Sequence, residues 1–132
     1  MRIVVALGAN ALLKRGEAAS AQAQQDNIRL AAVQLAKVAD GNSLVIVHGN
    51  GPQVGVPASQ GKNAPAAEQL PLDAPDAQTQ DMTGYAIELE LGNLLPSGRS
   101  CATLLTMVEV NPADPAFKSP DKPIGAVFTE AE

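Results

Sequence analysis

The chain has 132 residues, a formal net charge of −5, 45% hydrophobic residues and 2% aromatic residues, which is enough for one domain with a modest core and too apolar for wholesale disorder. Lys and Arg are scattered, and only Tyr85, Phe117 and Phe128 offer stacking faces, so the chain has little of what a nucleic-acid binder requires. No apolar run reaches membrane-spanning length, no secretory signal precedes the first strand, and the single Cys101 excludes an internal disulfide; a soluble, cytoplasmic protein is expected.

Residues 2–7 read as a strand, followed by Gly8-Ala9-Asn10-Ala11. Residues 11–19 read as a helical or loop connection in which Lys14 and Arg15 are read as surface charges before dimer-edge contacts. Ser20 is a candidate N-cap for a helix running to Val38, with Ile28, Ala31, Ala32, Leu35 and Val38 on one apolar face. Asp40-Gly41-Asn42 stops it. A second strand over 44–47, rich in β-branched residues, runs into His48-Gly49-Asn50-Gly51-Pro52. The two glycines leave backbone amides uncovered, and Pro52 stands where a helix can begin. A short crossover between the strands makes them parallel, and ligands of open α/β sheets lie at the carboxyl ends of strands. Both glycine-containing loops follow such ends, so they should converge on one small-anion site.

Pro57, Pro65, Pro71 and Pro75 speak against a long regular element in 56–81. Residues 82–95 read as a helix with Ile87, Leu91 and Leu94 on one face, ended by Pro96-Ser97-Gly98. Residues 101–110 read as a third strand, with Cys101 a small core residue, and 111–132, with four prolines, as a structured loop or hairpin. Asp73 is read as a cap or turn residue, and Asp73, Asp76, Asp81 and Asp114 lack metal-ligand spacing. His48, flanked by apolar residues, reads as a hydrogen-bonded structural histidine before a general base. Gly55 to Lys62 imitates a P-loop but has one residue too many between its glycines, and Asn63 stands where Ser or Thr would bind magnesium.

Several segments resemble carbamate kinase, a family of the amino-acid kinase fold. Val5 to Leu13 is similar to its first strand and loop, and His48-Gly49-Asn50-Gly51-Pro52-Gln53-Val54-Gly55 to its second loop. Pro71-Leu72-Asp73 with Gly84-Tyr85 resembles its middle segment, and Asp114-Pro115-Ala116-Phe117 with Lys122-Pro123-Ile124-Gly125 the approach to its protruding lid. The chain departs from the family at Ala9, Pro57, Asp81, Thr83 and Ala126.

The resemblance implies an α/β fold, a three-layer α/β/α sandwich with a mainly parallel sheet. It implies reversible phosphoryl transfer between ATP and carbamate, giving ADP and carbamoyl phosphate, with magnesium, a homodimer and a place in arginine breakdown through the arginine deiminase route. Gly8, Ala9 and Asn10 would offer amides to the phosphoryl oxygens, Gly49, Asn50 and Gly51 would hold the carbamate end, and Lys122 would act from the lid as a catalytic point charge. Family members are much longer, so residues 1–132 are expected to be the N-terminal, carbamate-binding part, incomplete and inactive without the nucleotide-binding half. Nucleotide-site residues and metal ligands are therefore not assigned in this chain. Another amino-acid kinase, such as acetylglutamate kinase, is the enzymatic alternative; a non-catalytic anion-binding or interaction remnant is the alternative of a different class.

Overall fold

The computed structural model describes residues 1–14, 16–17, 20–50, 65 and 68–121. Strand β1, Arg2–Leu7, pairs in parallel with β2, Ser43–His48, in a register running from Arg2↔Ser43 to Leu7↔His48. Between them lie the short helix α1, Ala9–Leu12, and the long helix α2, Ala21–Ala39. Helix α3, Asp73–Gly92, follows, and a 3-10 turn spans Pro115–Phe117.

Local chemistry accounts for the boundaries of α2. The Ser20 hydroxyl accepts from the Ala23 amide at 3.1 Å, one of the donors that a helix start leaves unpaired. At the other end Asn42 Nδ2 donates to the carbonyls of Val38, at 3.0 Å, and Asp40, at 2.8 Å, while Gly41 turns the chain at φ +66. The Arg99 guanidinium also donates to the Ala39 and Asn42 carbonyls, tying the segment after α3 to the end of α2.

Alternation along the strands gives the sheet two unlike faces. Val5, Leu7, Leu44 and Ile46 pack against buried residues of the helices, whereas Val4, Val45 and Val47 are exposed. Leu12, Ile28 and Ile87 form one core cluster, and Ala32, Leu35 and Leu91 another. Each buried leucine or isoleucine is worth about 1.5–3 kcal/mol relative to an exposed one. Arg29 fastens α2 to α3, donating from Nε and Nη2 to the two carboxylate oxygens of Glu90 at 3.2 and 3.1 Å. The parallel α/β architecture agrees with expectation; among the described residues the helices lie on one face of the sheet.

Two elements correct the sequence reading. Helix α3 begins at Asp73, nine residues before the expected 82, and ends at Gly92. Pro75 is its third residue, where the missing amide would have had no intrahelical partner, so proline there costs no backbone bond. Asp73 does not cap: Leu72 holds the N-cap position without a side-chain bond, and Asp73 and Asp76 place negative charge in the first turn. Leu94 falls beyond the helix and is exposed. Residues 101–110 form no strand. Cys101 packs against the cluster of Ala32, Leu35 and Leu91, but Leu104, Leu105, Met107, Val108 and Val110 are exposed. A strand is defined by ladder bonds to a neighbour, and among the described residues none pairs with this segment.

Candidate functional site

The parallel register places the carboxyl ends of β1 and β2 side by side at Leu7 and His48, and the Gly49 amide donates across to the Leu7 carbonyl at 3.4 Å. The residues that follow, Gly8-Ala9-Asn10 and Gly49-Asn50, thus leave the sheet as neighbours. After β1 the chain turns directly into α1, where the Ala11 amide donates to the Gly8 carbonyl at 2.9 Å. Leu12, fully buried against Ile28 and Ile87, anchors that turn in the core. No described residue other than glycine has a positive φ, so Ala9 keeps its amide in an ordinary helical backbone.

The second loop is held by side chains. Asn50 Nδ2 donates to Thr79 Oγ1 at 2.7 Å, Asp76 Oδ1 at 2.9 Å and the Asp76 carbonyl at 3.1 Å. Thr79 is buried, and its hydroxyl lies 3.0 Å from the carbonyls of Pro75 and Asp76, its own helix's first turn. Asp76 Oδ2 accepts from Gln80 at 2.8 Å. Asp76 and Thr79 were missed in the sequence. Their signal is the three-residue spacing on one helical face, which carries meaning only once the helix is known to reach back to Asp73.

His48, the last residue of β2, does not fit the expectation of a hydrogen-bonded structural histidine: its buried Nδ1 has no partner among the described residues. Contact holds it instead. A Cβ on Gly84 would lie 3.5 Å from His48 Nε2 and would clash with Thr103 Cγ2, so the bare glycine lets α3 approach both. Thr83 Oγ1, buried on the adjacent residue, is likewise unpaired among the described residues. Cys101 is half-buried at the edge of the Ala32, Leu35 and Leu91 cluster, and burial raises its thiol above the ordinary pKa.

Gly51, Lys122, which the resemblance assigns to a lid, Arg15 and the P-loop imitation lie outside the described residues. Gly8, Ala9, Asn10, Gly49 and Asn50 are brought together by the strand ends. Among the described residues no group of three or more His, Cys, Asp or Glu side chains could hold a metal ion, and no helix is long and apolar enough to cross a membrane.

No protein-family model matches the chain. It is 54% identical over 132 residues to a carbamate kinase of Haemophilus influenzae, covering all of this chain and 43% of that protein. Among solved structures, that of Giardia carbamate kinase superposes with a TM-score of 0.86 at 34% identity, covering 98% of this chain and 46% of that one. Carbamate kinase from Giardia lamblia bound to AMP-PNP superposes with a TM-score of 0.79 at 31% identity, over 98% and 43% of the two chains. The chain spans roughly two-fifths of the length of the curated relatives it matches, between 41% and 44% for the eight compared.

Proposed function

We propose, from a chain homologous over its whole length to carbamate kinases, that the protein catalyses reversible phosphoryl transfer between ATP and carbamate. Within that reaction the two strand-end loops bind the carbamate and carbamoyl phosphate end. The observation that carries this reading is the Leu7↔His48 register, which sets both glycine-containing loops at one edge of a parallel sheet. Phosphoryl transfer needs amide donors on the phosphoryl oxygens and fixed positioning of the acceptor more than covalent help from the protein. Gly8, Ala9 and Asn10 would supply the amides, and Gly49, Asn50 and Gly51 would orient the carboxyl group. Lys122 would add positive charge to the transferred group, and carbamate, already an anion, asks for no general base.

The reading extends to a nucleotide partner, since an AMP-PNP complex exists for a Giardia homologue, and to magnesium, a homodimer, a cytoplasmic location and arginine breakdown. The described residues hold no group of three or more His, Cys, Asp or Glu side chains that could hold magnesium.

Titration of the ¹⁵N-labelled chain with carbamoyl phosphate tests the site. Saturable amide shifts confined to Gly8–Ala11, His48–Gly51 and the neighbourhood of Lys122 are expected. Shifts elsewhere, or none at millimolar ligand, would overturn the reading. A coupled assay of ATP formation from carbamoyl phosphate and ADP tests the reaction itself: turnover supports the whole activity, and binding without turnover limits these residues to the carbamoyl end.

A further inference from the structure

Asn50 is fixed in one orientation by the chemistry of its neighbours. The carbonyl and carboxylate oxygens of Asp76 can only accept, so the carboxamide nitrogen must face α3. The Thr79 hydroxyl lies 3.0 Å from the Pro75 and Asp76 carbonyls and spends its single proton there; toward Asn50 Nδ2, at 2.7 Å, it is an acceptor. Three acceptors take up the two Nδ2 hydrogens. What the carboxamide can turn to a ligand is Oδ1, an acceptor only.

We infer that Asp76 and Thr79 are positioning residues that make the second loop selective for a ligand carrying an N–H donor on its carboxyl or acyl-phosphate carbon. The inference rests on the reading of Asn50 as a ligand-binding residue and deepens it. An amino group meets Asn50 Oδ1 as a hydrogen-bond donor, whereas a methyl group at the same place leaves that oxygen desolvated and unpaired. A site built around a polar group rejects the analogue that lacks the partner, because the unmet group bears the desolvation cost. Without Asp76 and Thr79 the carboxamide could rotate and present either end, and the selectivity would fade while the anion contacts of the glycine amides remained.

The test is calorimetric titration of the 132-residue chain with carbamoyl phosphate, acetyl phosphate, its near-isostere with methyl in place of amino, and inorganic phosphate. The wild type should prefer carbamoyl over acetyl phosphate by about tenfold or more. The double variant Asp76→Ala with Thr79→Val, which leaves only the Asp76 carbonyl as acceptor, should bring that ratio toward one, while Asp76→Asn with Thr79→Ser, which keeps all three acceptors, should retain most of it. A merely structural role would weaken both acyl phosphates alike, and a ratio unchanged in the variants would overturn the inference. Equal wild-type affinity for the two would overturn it too, while leaving the binding reading intact. If neither acyl phosphate binds, the reading of Asn50 fails first and the inference with it. Should the variants not fold, the wild-type Asn50 side-chain amide resonances decide: protection of both protons from exchange is expected, and free exchange would show that the clamp is absent.

Discussion

The two loops at the strand ends are held in place by different means. The first is held by its own backbone: β1 runs into α1 with a single turn bond, and Leu12 pins the turn from below. The second borrows its rigidity from a distant helix, with Asn50 reaching 26 and 29 residues along the chain to Asp76 and Thr79. A backbone-held loop is local and cheap to form, and it withstands any change that keeps its amide geometry. A side-chain-held loop is only as firm as the helix behind it, and it can be tuned by residues that touch no ligand. The first should therefore fail when its buried anchor is removed, and the second when α3 shifts.

The sharpest break of the first loop is Leu12→Ala. Leu12 is fully buried between Ile28 and Ile87, and the change should cost about 2–5 kcal/mol in denaturant unfolding. Amide shifts should spread through Gly8–Ala11 and leave the Asn50 side-chain resonances in place. Equal disturbance of both loops would show that they are not independently supported.

The corresponding break of the second loop is Gly84→Ala. The new methyl would clash with Thr103 Cγ2, and His48 Nε2 lies 3.5 Å away. Overpacking at such a contact costs about 1–3 kcal/mol, with relief coming from displacement of residues 101–103 or of α3. Loss of stability together with changed Asn50 resonances is expected. A neutral variant would mean that Thr103 yields freely and that Gly84 does not control the approach of α3.

These contrasts also separate what the sequence disclosed from what it hid. The β-α-β unit was legible because its signals are local: β-branched strands, the Ser20 cap, the helical spacing of Ile28, Ala32 and Leu35, and the stop at Gly41. The meeting of the glycine loops followed from the handedness and parallelism of a short crossover. The start of α3 is hidden because a proline speaks against a helix interior, and the sequence does not show that Pro75 falls in a first turn. At the third position Pro75 removes nothing. The Asn50 clamp was hidden in turn, since it depends on that helix start and on a long-range contact. The strand expected at 101–110 rested on composition alone, and composition supplies no partner for a ladder.

Acid should loosen the second loop's support by a milder route. Glu90 is held below the ordinary carboxylate pKa, chiefly by the hydrogen bonds from Arg29, with a smaller contribution from Gln25 at 3.4 Å. A carboxylate whose pKa is lowered by folding adds stability that is fully present above its unfolded value, about 4.3 for glutamate. That stability is lost as pH falls through the lowered folded value. Melting curves from pH 7 to pH 3 should show wild type and Arg29→Met converging as acid removes what the variant already lacks. Parallel curves across the whole range would mean that the pair between α2 and α3 contributes nothing.

The smallest expected effect sharpens the comparison from the first loop's side. Ala9 stands where the resembling family has glycine, and it opens α1 in helical backbone. Ala9→Gly adds backbone freedom to the unfolded chain and should lower stability by no more than about 1 kcal/mol, less at a first-turn position than in mid-helix. The amide itself is unchanged, and a bare Cα lets a phosphoryl oxygen approach at least as closely. Carbamoyl phosphate affinity should therefore stay level or rise slightly, with Asn50 resonances unmoved. A clear loss of affinity with little loss of stability would show that the alanine methyl is part of the ligand contact, and that the first loop, too, relies on a side chain.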